Sequence, residues 1–161
     1  HQPYENLTYY GRGPFENYID RYSGAFIGRY EDKVENQFYW YIRPQETGNK
    51  TDVRWLTLLD SGGLGVKITG LQPISFSALH FSPEDLDPGL TRKLQHTIDI
   101  VPQKNIFLHV DLKQRGLGGD NSWGMYPHNE YRLLDKKYTY SYMIELVEKG
   151  SDKNDYLNSR K

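Results

Sequence analysis

Period-two alternation of apolar and polar residues governs the chain after residue 50. In YTYSYMIEL (138–146), Tyr138, Tyr140, Tyr142, Ile144 and Leu146 fall on one face, and Thr139, Ser141, Met143 and Glu145 on the other. That is the spacing of a strand. NIFLHVDL (105–112) repeats it, with Ile106, Leu108, Val110 and Leu112 inward and Phe107, His109 and Asp111 opposite. DVRWLTLLD (52–60) and GLGVKITG (63–70) meet at Ser61-Gly62-Gly63, where glycine supplies the positive φ a tight hairpin needs. ISFSALH (74–80) and LQHTIDIV (94–101) read as two further strands. Between them SPEDL (82–86) carries a helix start, with Ser82 as N-cap, Pro83 first and acids in the first turn.

The first 50 residues are less regular. GRGPFEN (11–17) and RPQETGN (43–49) carry turn chemistry, and LTYY (7–10) and FYWYI (38–42) read as short strands. Ordered loops of this length usually carry function or pack on a neighbour. The polar tail KGSDKNDYLNSRK (149–161) is expected to fray. Antiparallel strands with short connections predict an all-β fold, an antiparallel β-sandwich. One domain over 1–149 with a flexible tail at 150–161 suits 161 residues.

Composition narrows the function classes. With 20 Lys+Arg against 21 Asp+Glu, no global field draws the chain to nucleic acid or an acidic membrane. No apolar run approaches the roughly 18 residues of a membrane span, and HQPYENLTYY (1–10) lacks the apolar middle of a signal peptide. The start at His1 rather than Met leaves open an internal piece of a longer chain. The absence of cysteine removes disulfides, thiolate metal sites and thiol catalysis while leaving the compartment open. Tyrosine is abundant, 14 residues beside 6 Phe and 3 Trp, which suits half-buried sheet faces and also sugar or protein contacts.

The stretch GLGGDNSW (116–123) poses the sharpest question. A dinucleotide fingerprint needs a third glycine where Asn121 stands and a helix after it, and no P-loop Gly-Lys-Ser/Thr occurs. The glycines instead suit tight turns that approach a ligand or neighbour closely. Trp123 then either offers an exposed face to the C–H side of a sugar ring, with Asp120 and Asn121 bonding hydroxyls, or folds back as a lid over the sandwich end. Glycosidic hydrolysis takes two carboxyl groups about 5–5.5 Å or about 6.5–9.5 Å apart. Glu16, Glu46, Asp111 and Asp120 are candidates that nothing in sequence brings together, and turn bonds or partners for Arg12, Arg21 and Arg54 explain them equally. His80, His96, His109 and His128 show no metal-ligand spacing, so no metal site built by this chain alone is expected. NLT at Asn6 and NKT at Asn49 match the glycosylation pattern, which also recurs by chance.

Four stretches in order, YYGRGPFENYIDR (9–21), YIRPQETGNKTDVRWL (41–56), FSALHFSPEDL (76–86) and VDLKQRGLGGDNSWG (110–124), resemble the C-terminal small-chain domain of the large bacterial β-galactosidases of glycoside hydrolase family 2. The resemblance spans residues 4–148. It implies the second half of a galactose mutarotase-like super-sandwich, with a jelly roll, immunoglobulin-like domains and a catalytic (β/α)₈ barrel elsewhere in the parent. The barrel would hold both catalytic glutamates and any divalent metal, so no catalytic residue and no cofactor is expected in this chain, which alone would not hydrolyse lactose. The resemblance assigns Trp123 to stacking on bound sugar. Gly118, Gly119, Asp120, Asn121 and Ser122 are then expected to shape and hold its loop.

A half-sandwich would also expose strand edges and apolar faces, which predicts contact with the remaining parent domains and self-association, with no nucleic-acid or membrane partner. The resemblance leaves bacterial cytoplasm and periplasm both open. A free-standing carbohydrate-binding or mutarotase-like domain, and a purely structural interaction domain, are the competing functions.

Overall fold

The computed structural model describes residues 4–87, 89, 95–121 and 123–148. The expected tail (150–161) and Ser122 lie outside them. Among the described residues six antiparallel strands form one sheet: β1 (Asn6–Gly13), β2 (Phe26–Lys33), β3 (Lys50–Leu59), β4 (Gly65–Leu79), β5 (Phe107–Asp111) and β6 (Tyr142–Val147). The order is β2-β1-β3-β4-β5, with β6 also on β4. The all-β antiparallel class is the one the alternation predicts, and the arrangement is consistent with a β-sandwich.

Register places the apolar sets on one face. Tyr9 opposes Leu56 and Leu7 opposes Leu58; Leu56 opposes Ile68, and Phe76 and Ala78 oppose Val110 and Leu108. These residues, with Val34, Val53 and Ile74, make the main core. The hairpin at 60–64 forms as expected. Asp60 accepts backbone N–H bonds from Gly62 (2.7 Å) and Leu64 (2.9 Å) through its side chain, and Gly63 takes φ +84°, a conformation open to glycine at little cost.

Strand β4 departs from expectation. The segments anticipated as separate strands at 63–70 and 74–80 run on as one strand of 15 residues. Its first half pairs with β6 over Gly65–Gly70 and its second with β5 over Ser75–Leu79. Between them lies Pro73, which has no N–H for the ladder, and opposite it β3 shifts register twice around Val53. Asp52 at that irregularity has φ +53°. Tyr9 of β1 packs edge-on against Phe76 of β4 across β3, ring centroids 5.2 Å apart, although β1 and β4 do not pair.

Two expected strands do not form among the described residues. Residues 38–42 follow irregular backbone, because Phe38 turns into a second small core with Leu79, Phe81, Leu86 and Ile100, and the Tyr39 N–H goes to Thr47 Oγ1 (3.1 Å) rather than to a ladder. At 97–99 a 3-10 turn replaces the strand read into LQHTIDIV, since the Asp99 carboxylate takes the His96 N–H (2.7 Å). Strand β2 carries little alternation of burial and was not anticipated. The short helix α1 (Pro83–Leu86) forms with the expected Ser82 cap, whose side chain accepts from Asp85 N while Asp85 accepts from Ser82 N.

Strand β6 is shorter than its pattern, starting at Tyr142. Its apolar face is open: Ile144 is 63% and Leu146 84% exposed, although both oppose core-facing residues of β4, Ile68 and Val66. Asn49 is buried, its amide donating to Asn17 O (2.8 Å), so the folded chain offers no glycan acceptor there.

Candidate functional site

The site starts from the turn chemistry of residues 12–21. Asn17 is buried and used on every side: its amide donates to Arg12 O (3.1 Å) and Phe15 O (2.9 Å), and its Oδ1 accepts from Thr51 N (3.0 Å) and Thr51 Oγ1. This fixes the entry to a tight turn in which Tyr18 and Arg21 exchange backbone bonds of 3.2 and 2.8 Å, leaving Ile19 and Asp20 at its tip. Tyr18 is buried, and burial, with the nearby Glu16 and Glu46 carboxyls, raises the pKa of its hydroxyl.

Asp20 reaches the glycine-rich loop. Its Oδ2 accepts the Gly118 N–H at 2.7 Å, a contact between residues 98 apart in sequence. A Cβ at Gly116 would lie 2.7 Å from the Asp20 carboxyl, and one at Gly119 2.3 Å from Met125 O. Both glycines are therefore required by close approach. Gly116 N–H donates to Tyr131 O (2.7 Å), and Asn121 Oδ1 accepts the Trp123 N–H (2.8 Å), an Asx turn. His128 Nε2 hydrogen-bonds Asp120 Oδ1 at 2.7 Å, a contact that raises the His128 pKa. Trp123, at the far end of this tethered loop, is 91% exposed. It does not fold back as a lid. Beside it lies an open cleft of about 650 Å³ lined by Asp120, Met125, Tyr126, His128, Glu130 and Arg132, with the Arg132 guanidinium 5.0 Å from the Tyr126 ring centroid.

The candidate carboxylates have separate fates. Glu16 accepts from Arg21 Nη2 (2.5 Å), Gly48 N (2.9 Å), Thr47 Oγ1 (3.2 Å) and the Tyr41 hydroxyl. Its lone pairs are taken, and it ties the turn to the 41–48 loop. Asp111 takes a bond from Gln114 (3.3 Å). Asp120 stays on the Trp123 loop. Glu46 is the perturbed one: burial raises its pKa, a Gln114 bond and His109 oppose that, and Asp111 and Glu16 raise it further. Its Oε1 is buried without a hydrogen-bond partner. Glu46 lines a second cleft of about 520 Å³ together with Arg43, Ser77, Phe81, Phe107 and His109, the last two from the face of β5 opposite Leu108 and Val110.

His80 is held by Asn105 O (3.1 Å) and Glu5 (3.1 Å), a structural placement. Among the described residues no group of three or more His, Cys, Asp or Glu is placed to hold a metal ion, and no helix is long and apolar enough to cross a membrane. Sequence reasoning missed Asp20, Asn17 and Tyr131. Asp20 lies within YYGRGPFENYIDR (9–21), but no local pattern pairs it with a glycine so distant in the chain.

Comparison with known proteins gives one family. The family described as β-galactosidase small chain matches residues 1–144. The β-galactosidase of Priestia megaterium is 38% identical over 143 residues, 88% of this chain and 13% of the relative. That of Streptococcus thermophilus is 38% identical over 144 residues, covering 88% and 14%. That of Lactobacillus delbrueckii subsp. bulgaricus is 37% identical over 133, covering 82% and 12%. The chain thus spans about an eighth of the length of the curated relatives it matches.

Proposed function

The chain belongs to the β-galactosidase small-chain family, and on that premise we propose that it is the C-terminal sandwich portion of a glycoside hydrolase family 2 β-galactosidase. In this reading the parent hydrolyses terminal β-D-galactosides such as lactose. The bond-breaking carboxyl groups and any divalent metal belong to its other domains, and this chain contributes Trp123 as a platform for the sugar ring. One observation carries the reading: a tryptophan 91% exposed on a loop whose base is tied by Asp20 and Tyr131.

An indole left in water at the end of a tethered loop is pre-organised for a flat apolar partner. Stacking contributes about 0.5–1.5 kcal/mol beyond area burial, by analogy with aromatic pairs, and acts by orienting the substrate. In the intact parent, Trp123→Ala is expected to raise KM for a β-galactoside about tenfold, in line with roughly 1.4 kcal/mol per decade, with thermal stability unchanged. Unchanged kinetics would remove the stacking role.

The exposed Ile144 and Leu146 of β6 support a second, compatible role as an interaction domain. This face suits docking on the remaining parent domains, or on a second copy when they are missing.

A further inference from the structure

We propose that Asp20 is a positioning residue for Trp123, holding the glycine-rich loop so that the indole stands where the sugar is received. The inference rests on the stacking role proposed above and adds the device that sets it.

The chain of contacts is continuous. Asn17, buried and bonded on both its amide and carbonyl sides, anchors the Tyr18–Arg21 turn, whose own backbone bonds close it. Asp20 projects from the tip of that turn and takes the Gly118 N–H at 2.7 Å, a charge-assisted bond of the stronger kind. Gly116 lies so close that an added Cβ would meet the Asp20 carboxyl at 2.7 Å, so the carboxylate fills the space under the loop base. Among the described residues the Asp20 Oδ1 atom is itself buried with no partner, a desolvation cost that the Gly118 bond has to offset. Beyond this base the neck is closed by Gly119 against Met125, and the Asn121 Asx turn orients the Trp123 backbone. Among the described residues the indole has no such anchor of its own, being almost wholly exposed. Its position is therefore inherited from the base, and Asp20 is the side chain that grips the base from another part of the chain.

The test uses the full-length β-galactosidase carrying this chain, with o-nitrophenyl β-D-galactoside as probe. Asp20→Ala is expected to raise KM at least fivefold with kcat within twofold of the parent. Asp20→Asn, which keeps an oxygen acceptor for Gly118, is expected to restore KM to within twofold. Asp20→Ala placed on Trp123→Ala is expected to add nothing to the single tryptophan variant. A KM untouched by Asp20→Ala while Trp123→Ala raises it overturns the positioning role and leaves stacking standing. Additive effects of the two substitutions, or a loss confined to kcat or melting temperature, overturn it as well. A KM untouched by Trp123→Ala itself overturns the stacking role on which the proposal rests.

Discussion

Lys50 offers the most quantitative check on this structure. It opens β3, is 2% exposed, and its ammonium has Gly48 O (3.2 Å) as its hydrogen-bond acceptor, with the Tyr9 ring 6.0 Å away. Burial pushes its pKa down from 10.5 to about 8, against the pull of Glu16 and Asp32. The folded state thus binds the Lys50 proton less tightly than the unfolded chain does. Stability rises with pH wherever the unfolded state holds more protons, here between about pH 8 and pH 10.5. Below that window the buried charge costs about 3 kcal/mol at 1.36 kcal/mol per unit.

Lys50→Met removes the charge at similar length but leaves Gly48 O without its donor, a loss of about 1–2 kcal/mol. The variant is therefore expected to be more stable than the parent chain by about 1–2 kcal/mol at pH 6–7. That advantage should vanish or reverse by pH 10. Urea unfolding of both chains by circular dichroism across this range measures the difference. The buried hydroxyls of Tyr9 and Tyr18 have raised pKa values, so they lose stability as pH climbs past 10, but equally in both chains. A stability difference that is flat from pH 7 to 10, or a variant less stable at pH 6, would refute the buried-charge argument.

Glu16→Gln puts an amide N–H₂ among donors that now converge on a carboxylate, and should destabilise the chain by about 2–4 kcal/mol, read as a lower urea midpoint with unchanged slope. The open β6 face predicts a concentration-dependent increase in mass by light scattering of the isolated chain. Leu146→Lys, at a site 84% exposed, should return it to a monomer, and a parent chain monomeric at high concentration would count against the interaction surface.

Legibility in the sequence followed the range of the interaction. The patterns in 52–60, 63–70 and 105–112 located β3, the start of β4 and β5, and the alternation in 105–112 put Ile106, Leu108 and Val110 toward the core, because side-chain direction in a strand depends only on residue parity. Asp60 with its glycines and Ser82 with Asp85 close their bonds within four residues, so the turn and the cap were readable too. The aromatic run 38–42 misled because Phe38 answers to Phe81, ring centroids 4.4 Å away, and not to a neighbouring strand.

The candidate site divided in the same way. Local composition identified the loop and its tryptophan. Whether Trp123 was lid or open face, that β4 continues through Pro73, that Asn49 and Lys50 are buried, and that Glu16 is saturated by donors from elsewhere were all set by distant partners. The Asp20–Gly118 bond joins residues 98 apart. Parity, turn residues and caps are written in a few consecutive positions, so the sequence by itself determined β3, the two halves of β4, β5 with its inner face, most of β6 and the glycine loop. Which of those pieces meet depends on register and on its shifts around Val53, which are properties of the assembled core, and only the tertiary structure decided them.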